Sequence, residues 1–388
     1  MYDPSCIELS RSALSSNLAF LRKQIGPNVI LSAVVKGNAY GHGIECLAVL
    51  LEECGVQHFS VFSATEAHEA RQHLKHGSEL MIMGHVEGQA IEWSIANDIS
   101  YYVFDLERLR ESLAVSRRLQ KPARVHLEVE TGLNRTGLQK ESFTQALEII
   151  KENQQHLHLV GVCTHYAGAE SVANYKRIQD QIVVYKDRCE KLQASGLNTV
   201  LRHTASSAAA LIYPETRMDM VRIGIALYGY WPSKETEMQF LINNGGINHR
   251  RYVDPLKRVM RWRSSVMSLK DVDPGEFIGY GTAFLTTRRM RIASVPVGYC
   301  HGFSRALSNL GRLLIRGKRV SIVGIVNMSM LLVNVSEVKD VELGDEVVLI
   351  GRQKRAQISV SSFSDLSNLL NYEALVRLPS EISREVVE

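Results

Sequence analysis

The feature that most constrains the fold of this chain is an alternation of short β-branched runs with longer segments of helical periodicity, from about residue 11 to about residue 230. Such alternation is typical of successive strand–helix units around a parallel sheet. Segments of helical periodicity include Ser10–Gln24, Ala64–His76 and Tyr175–Ala194. The eight strand candidates begin at Val29, His58, Glu79, Ile99, Arg124, His158, Thr199 and Met220. Eight such units predict an α/β fold, a (β/α)8 TIM barrel.

The rest of the chain predicts a second domain. After a polar stretch at residues 235–254, short strands and glycine-rich turns predict a mostly-β domain over residues 255–388. The barrel is then assigned to residues 11–234. Residues 235–254 form a linker or insertion that we expect to be a surface loop. Residues 1–10 hold a strand that can join the second domain. An open, doubly wound sheet is the alternative, but no G-x-G-x-x-G motif follows the first strand.

Composition and charge exclude several classes of protein. The balance of 45 Lys+Arg against 41 Asp+Glu leaves a net charge of +4, too small to indicate nucleic-acid binding. No long uncharged apolar run and no secretory signal are visible, so we expect a cytoplasmic protein that does not contact membranes. The six cysteines have no metal-ligand spacing, so we expect reduced thiols and no metal site.

Polar side chains are predicted to converge at one end of the barrel. Lys36, Glu130, His165, His203 and Arg222 lie at the ends of strand candidates. In a (β/α)8 barrel the active site lies at the carboxyl ends of the strands. The sequence therefore predicts a site there.

The segment AVVKGNAYGHG carries the most specific signal, because an apolar strand ends at Lys36. Burial of a lysine lowers its pKa and makes its amine available as a nucleophile or Schiff-base partner. A surface lysine with a buried stem is the alternative reading of this residue alone.

From this segment onward the chain resembles the alanine racemases, a family of enzymes that use pyridoxal 5'-phosphate (PLP). Matching segments follow in order over nearly the whole chain: HLEVETGLNRTG, THYAG, HTASSAAA, MVRIGIALYG, IGYGTAF and PVGYCHGFSR. The resemblance implies a PLP-binding barrel followed by a β domain, in agreement with the architecture predicted above.

The resemblance also implies a mechanism with two bases. Lys36 corresponds to the lysine that binds PLP covalently, and Tyr280 to the second acid/base. Racemisation removes the α proton from one face and returns a proton to the other, so it needs a base on each side. In the family this tyrosine enters from the partner subunit, so the resemblance implies a homodimer with shared sites and an inactive monomer.

The remaining site residues follow from the same motifs. Arg222 corresponds to the arginine that faces the pyridine nitrogen of PLP, with His203 supporting it and His165 stacked on the ring. Arg135 corresponds to the arginine that binds the substrate carboxylate. Tyr40, Ser207, Gly224 and Ile225 are implied to hold the phosphate, and Tyr299 and Met328 to complete the substrate pocket from the partner.

Four positions depart from the family pattern. Glu128 stands where many members carry a carboxylated lysine that pairs with the arginine matching Arg135. Ile325 and Ser329 replace an arginine at the substrate entryway and an aspartate. Ser380 falls about where a phosphate-binding tyrosine often lies, so the sequence leaves open which carboxy-terminal residue closes the phosphate site.

The function predicted from the sequence is interconversion of L-alanine and D-alanine, with D-alanine serving peptidoglycan. A broad-specificity or serine-type amino acid racemase shares every catalytic residue and remains an alternative. A non-catalytic PLP carrier is a further alternative, but a carrier has no need of Tyr280. A PLP-dependent decarboxylase fits less well, since its carboxy-domain cysteine motif is absent.

Because Glu128 supplies a negative charge without modification, we predict that activity does not depend on bicarbonate. The measurement is the racemisation rate in buffer stripped of CO2, before and after bicarbonate is added. A loss of rate on stripping that bicarbonate restores would contradict the prediction.

Because Ile325 removes a positive group from the entryway, we hypothesise that the enzyme accepts amino acids besides alanine, with serine the first candidate. The Ile325→Arg variant is expected to narrow this range. The measurement is the ratio of kcat/KM for serine to kcat/KM for alanine. A ratio that is the same in the wild type and in Ile325→Arg would count against the hypothesis.

Overall fold

The computed structural model of the chain describes residues 5–75, 77–197, 200–244, 252–367 and 371–388. The strands are β1 (Ser5–Ser10), β2 (Ile30–Val34), β3 (His58–Val61), β4 (Glu79–Ile82), β5 (Ser100–Val103), β6 (Ala123–Glu128), β7 (Leu157–Cys163), β8 (Leu201–His203), β9 (Met220–Ile223), β10 (Met260–Ser265), β11 (Ser268–Val272), β12 (Met290–Val295), β13 (Arg312–Ile315), β14 (Lys318–Ile322), β15 (Leu331–Asn334), β16 (Glu346–Gln353), β17 (Ala356–Ile358) and β18 (Ser383–Val387). The helical segments are α1 (Arg11–Ile25), α2 (Lys36–Tyr40), α3 (Ile44–Glu53), α4 (Ala64–His73), α5 (Gln89–Ala96), α6 (Leu106–Leu119), α7 (Lys140–Glu152), α8 (Tyr175–Ala194), α9 (Ser207–Ile212), α10 (Lys234–Asn243), α11 (Ser361–Ser367) and α12 (Asn371–Val376).

Eight parallel strands form the barrel sheet, in the order β8-β7-β6-β5-β4-β3-β2-β9. Backbone hydrogen bonds also connect the chain around β8 with the chain around β9, from Asp219 N to Arg202 O at 3.1 Å and from Arg222 N to Ala205 O at 2.9 Å. Every residue of β3 and β5 is buried, as expected for strands covered on both faces. The prediction of a (β/α)8 barrel is confirmed.

The second sheet is mostly antiparallel and has the order β11-β12-β15-β14-β13-β16-β10-β1-β18, with β17 paired to β16. The amino-terminal strand β1 lies inside this sheet, antiparallel to β10 and parallel to the carboxy-terminal β18. Trp262 of β10 is fully buried and donates from Nε1 to Ser5 Oγ of β1 at 2.7 Å. The prediction of a mostly-β second part of the fold is confirmed.

The described chain divides into two compact units that interleave along the sequence. The barrel unit comprises Leu14–Lys36 and Ala48–Lys257. The β unit comprises Gly37–Leu47, Arg258–Glu388 and the described residues before Leu14. The segment directly after Lys36 therefore belongs to the β unit, although it connects two elements of the barrel.

Several elements differ from the sequence-based expectation, among them α10 and β18. A helix, α10, covers Lys234–Asn243, where we expected a surface loop. Ser233 caps it by accepting a hydrogen bond from Thr236 N at 3.0 Å, and its apolar residue Phe240 is buried. The strand β18 was not predicted, because its exposed residues lack an apolar alternation. The expected strand start at Thr199 and the expected helix end at His76 lie outside the described residues.

None of the described helices has the length and apolarity that crossing a membrane requires. All six cysteines are free thiols, and Cys300 is the exposed one. Among the residues that the structure describes, no three His, Cys, Asp or Glu side chains are grouped so that they could hold a metal ion.

Candidate functional site

Lys36 follows β2 directly, at the carboxyl edge of the barrel sheet. Val35 N donates to Ser60 O of β3 at 2.9 Å and so fixes the end of the strand. The Lys36 ammonium lies 6.0 Å from the centre of the Phe62 ring. Burial lowers the pKa of Lys36, and the positive charges of Arg135 and Arg222 lower it further. A larger share of the amine is therefore unprotonated near neutral pH than in a lysine in water.

The chain turns left-handed immediately after Lys36. The φ angles are 63° at Gly37, 52° at Asn38, 52° at Ala39, 53° at Tyr40 and 77° at Gly41. A left-handed conformation costs about 1–2 kcal/mol for each non-glycine residue, so this turn stores strain.

Close packing holds the strained turn in place. Asn38 Oδ1 accepts a hydrogen bond from Ile44 N at 2.8 Å. A Cβ on Gly41 would lie 2.0 Å from Leu375 O, so only glycine fits where the turn meets α12. Tyr40 is buried, and burial raises its pKa to about 12, so its hydroxyl remains a hydrogen-bond donor at neutral pH.

Arg222 is a buried cation at the end of β9 whose terminal nitrogens are all occupied by the barrel itself. Nη1 donates to His203 Nδ1 at 2.6 Å and to His203 O at 2.8 Å. Nη2 donates to Thr164 O at 2.8 Å and to Thr204 O at 3.1 Å. Its Nε has no acceptor within the described residues. One donor of a permanently charged group therefore remains available to a ligand.

His165 follows β7, and its imidazole is neutral. Burial lowers its pKa to about 3, and the charges of Arg222, Arg135 and Lys36 act in the same direction. The carbonyl of His165 accepts from Gln181 Nε2 at 3.1 Å. Gln181 carries no sequence signal, because a glutamine within the 20-residue helix α8 looks like a solvent-exposed residue, yet it is fully buried.

Three of the implied phosphate residues lie close together in the barrel unit. Ser207 begins α9, and its hydroxyl accepts from Gly224 N at 3.0 Å. The neighbouring Ile225 N–H has no acceptor within the residues described. Backbone N–H groups and a hydroxyl at the start of a helix are the donors that phosphate groups prefer.

Arg135 lies in a loop that folds back onto the end of β6. Glu130 accepts hydrogen bonds from Gly132 N and, at 3.0 Å, from Asn134 N, and so orders this loop. Arg135 is exposed, and in the described part of the chain it has no ion-pair or hydrogen-bond partner.

Glu128, the residue that replaces the modified lysine, is buried at the end of β6. Its carboxylate accepts from Thr136 Oγ1 at 2.7 Å. Burial raises its pKa, while the Thr136 hydrogen bond and the Arg135 charge oppose that rise. The charge of Arg135 acts on Glu128 from a distance, since the described residues form no ion pair between them.

Tyr299 and Met328 lie on one platform of the β unit. Tyr299 N donates to Asn327 O at 3.0 Å, and Cys300 N donates to Met328 O at 3.0 Å. A Cβ on Gly298 would lie 2.2 Å from Asn327 O, so glycine is needed where the two segments meet. The side chains of Tyr299 and Met328 remain 44% and 59% exposed.

Tyr280 lies at the tip of a loop in the same unit. Ile278 N donates to Phe284 O at 2.9 Å and closes the loop below it. Gly279 and Gly281 flank the tyrosine with φ angles of 78° and 66°. Tyr280 is 72% exposed, which is unusual for an aromatic side chain.

The structure also indicates which carboxy-terminal residue accompanies Tyr40. The ring of Tyr372 lies 6.0 Å from the ring of Tyr40, centre to centre. Ser380 instead contributes its carbonyl to Arg384, at 2.8 Å. The sequence left this choice open, because Tyr372 reaches Tyr40 only through the packing of α12.

Of the two residues that depart from the family pattern near the substrate entryway, Ile325 is half-buried and Ser329 is exposed.

Comparisons with known proteins give one consistent result. Residues 9–232 match the family model described as alanine racemase, N-terminal domain, and residues 259–386 match the alanine racemase C-terminal domain. The chain is 35% identical to alanine racemase 1 of Caldanaerobacter subterraneus over 383 residues, which cover 98% of this chain and 94% of the relative. It is 32% identical to the alanine racemase of Leptospira interrogans, with 99% of this chain and 96% of the relative covered. The solved alanine racemase of Clostridium difficile 630 superposes with a TM-score of 0.90 at 29% identity, with 100% of this chain and 96% of that chain covered.

Five histidines predict that the fold is sensitive to acid; four of them are buried, and His165 is half-buried. Burial lowers the pKa of His42 to about 4, of His58 to about 4 and of His165 to about 3, and it lowers the pKa of His126 and His203 strongly. In the unfolded chain these groups titrate near pH 6.5, so below that pH the unfolded state binds more protons than the folded state. Their contribution to stability is complete above about pH 6.5 and is lost as the pH falls, by up to about 1.4 kcal/mol per pH unit for each histidine.

The measurement is the free energy of unfolding in urea between pH 7.5 and pH 5 at constant ionic strength. We expect it to fall increasingly steeply below pH 6.5. The His58→Asn variant should show a shallower pH dependence, whereas His158→Asn, at an exposed position of β7, should match the wild type. A flat profile, or equal slopes for all three proteins, would refute the prediction.

Proposed function

The chain belongs to the alanine racemase family, and on that premise we propose that it interconverts L-alanine and D-alanine on PLP, with Lys36 and Tyr280 as the two bases. The observation that carries the proposal is the group of residues at the carboxyl edge of the barrel. A lysine of lowered pKa and an arginine with a single available donor lie at the ends of neighbouring strands, β2 and β9.

The residues present fit PLP. Arg222 Nε is an available donor for the pyridine nitrogen, and Ile225 N–H with the Ser207 hydroxyl supplies donors for a phosphate. The neutral imidazole of His165 can stack on a ring without adding charge. Lys36 supplies the amine for the covalent link. When bound, PLP withdraws electrons from Cα of the substrate and so makes its proton acidic.

Arg222 controls how strongly the cofactor withdraws electrons. A guanidinium does not release its proton in proteins, so it holds the pyridine nitrogen unprotonated. An arginine at this position would therefore weaken the electron withdrawal and disfavour decarboxylation and transamination. The residue therefore favours racemisation over side reactions.

Two bases then move the proton. Lys36 serves the D enantiomer and Tyr280 the L enantiomer, each removing or returning the α proton on its own face. Arg135, in the loop after β6, binds the substrate carboxylate. The D-alanine produced would serve peptidoglycan, as the family resemblance implies.

The exposure of three side chains of the β unit supports a shared active site in a homodimer. Tyr280, Tyr299 and Met328 are 72%, 44% and 59% exposed. A phenol that acts as a base needs a site from which water is excluded, and an exposed loop tip of an isolated chain offers none. A second copy of the chain would cover these side chains and place Tyr280 opposite a lysine.

Mixed dimers test this arrangement directly. A heterodimer of a Lys36→Ala chain and a Tyr280→Phe chain, isolated with two affinity tags, should regain about half the activity of the wild-type dimer, because one of its two sites is complete. Each variant alone should be nearly inactive while the Tyr280→Phe protein still binds PLP. The measurement is the rate of D-alanine formation from L-alanine.

The matched control pairs the doubly substituted chain, Lys36→Ala with Tyr280→Phe, with a wild-type chain. If the sites are shared, both sites of this heterodimer are incomplete and it should be inactive. If each site lies within one chain, it should keep about half the activity and the first heterodimer none. Full activity of Tyr280→Phe alone would eliminate the two-base mechanism.

A further inference from the structure

We propose that His126 is a positioning residue for Arg222: with Gly161, it fixes the tautomer of His203 and thereby keeps Arg222 Nε as the donor that faces the cofactor. The proposal rests on the proposed function, since it concerns the same arginine. It extends the site inward from His203 to a second layer of the barrel, which the sequence analysis did not identify.

The direction of every hydrogen bond in this group follows from the arginine. His126 Nδ1 lies 2.9 Å from His203 Nε2, and His203 Nδ1 lies 2.6 Å from Arg222 Nη1. A guanidinium only donates, so His203 Nδ1 must accept and carry no proton. A neutral imidazole has one N–H, so His203 is protonated at Nε2 and donates to His126 Nδ1. His126 is then the acceptor that stabilises this tautomer of His203.

The contact is the only hydrogen bond of His126 within the described residues. Its other nitrogen, Nε2, is buried and has no hydrogen-bond partner in the part of the chain that the structure describes. Burying a polar nitrogen without a partner is costly, and a leucine here would avoid that cost. A leucine could not make the hydrogen bond to His203.

Gly161 creates the space for this contact. A Cβ on Gly161 would lie 2.2 Å from His126 Nδ1 and 3.0 Å from His203 Nε2, within the hydrogen bond itself. The register of β6 and β7 shifts between Val125 and His126, so that His126 pairs with Gly161. The backbone of Gly161 is not left-handed, so glycine is needed here for space and not for conformation.

The consequence for Arg222 is orientational. The ring and the carbonyl of His203 both accept from Nη1. If the ring loses its partner, it can rotate or change tautomer, and the guanidinium loses one of the two acceptors that fix Nη1. The Nε–H would then no longer be held in one direction and would not keep a bound cofactor's pyridine nitrogen unprotonated. With that control lost, side reactions would increase.

The first measurement is the tautomer of His203 in the holoenzyme with ¹⁵N-labelled histidine, read from the ¹⁵N shifts of its ring nitrogens. We expect a proton on Nε2 and none on Nδ1, in the wild type and in His126→Asn, whose side-chain oxygen can accept as Nδ1 does. In His126→Leu and Gly161→Ala we expect the signal to shift or broaden. A proton on Nδ1 of the wild type overturns the proposal even if no variant folds.

The second measurement is the amount of pyruvate released per alanine racemised, since transamination leaves the amino group on the cofactor. We expect this ratio to rise about tenfold in His126→Leu and in Gly161→Ala, the factor that corresponds to one neutral hydrogen bond of ordinary strength. It should stay at the wild-type value in His126→Asn and in the control His58→Leu. His58 is also a buried barrel histidine, but its Nδ1 contacts Ser32 Oγ at 2.8 Å instead of His203.

If the ratio of pyruvate released to alanine racemised is unchanged in folded His126→Leu, the proposal is overturned. It is also overturned if this ratio is as high in His126→Asn as in His126→Leu. A rise in His58→Leu would show that any lost buried histidine has this effect and would likewise overturn it. If the wild type does not racemise alanine, the proposed function fails, whereas the ¹⁵N measurement still decides the role of His126.

Discussion

The buried guanidinium of Arg222 is the interaction on which the barrel end of this protein depends. A cation in the interior is tolerated only when fixed acceptors replace its hydration shell. Carbonyls at the ends of β7 and β8 provide them, together with the ring of His203. These strand ends therefore have defined positions relative to β9. The positions of the residues that follow these strands are fixed in the same way, and His165 and Ser207 are among them.

The same charge organises the electrostatics of its surroundings. It contributes to lowering the pKa values of Lys36 and His165, so the site holds a more readily deprotonated amine and a neutral imidazole. Burial raises the pKa of Glu128, and the charge of Arg222 opposes that rise. Strain in the left-handed turn after Lys36 adds a geometric constraint, which the close approach of Gly41 to Leu375 maintains. Charge thus acts on the Lys36 amine, and close packing holds the strained turn that follows it in the chain.

Much of the architecture was predictable because it follows from local patterns. The strand–helix alternation indicated the eight barrel strands, and the helix predicted at Tyr175–Ala194 has those bounds in the structure. The helix α10 and the strand β18 were not predictable in the same way. A weakly amphipathic segment such as α10 forms a helix when its apolar residue packs into the core, as the buried Phe240 does. An exposed carboxy-terminal segment becomes a strand when β1 offers an edge.

The sequence by itself determined the family and the candidate residues: a lysine at a strand end, an arginine in MVRIG and a tyrosine between two glycines can be named from motifs, since each is a local arrangement of residues. Only the tertiary structure decided how these groups are held. Gln181 against His165, Tyr372 beside Tyr40 and His126 behind His203 are far apart in sequence and have no local signal. The physical reason is that hydrogen-bond direction, burial and close approach depend on distances between strands and helices, which no single segment of sequence encodes.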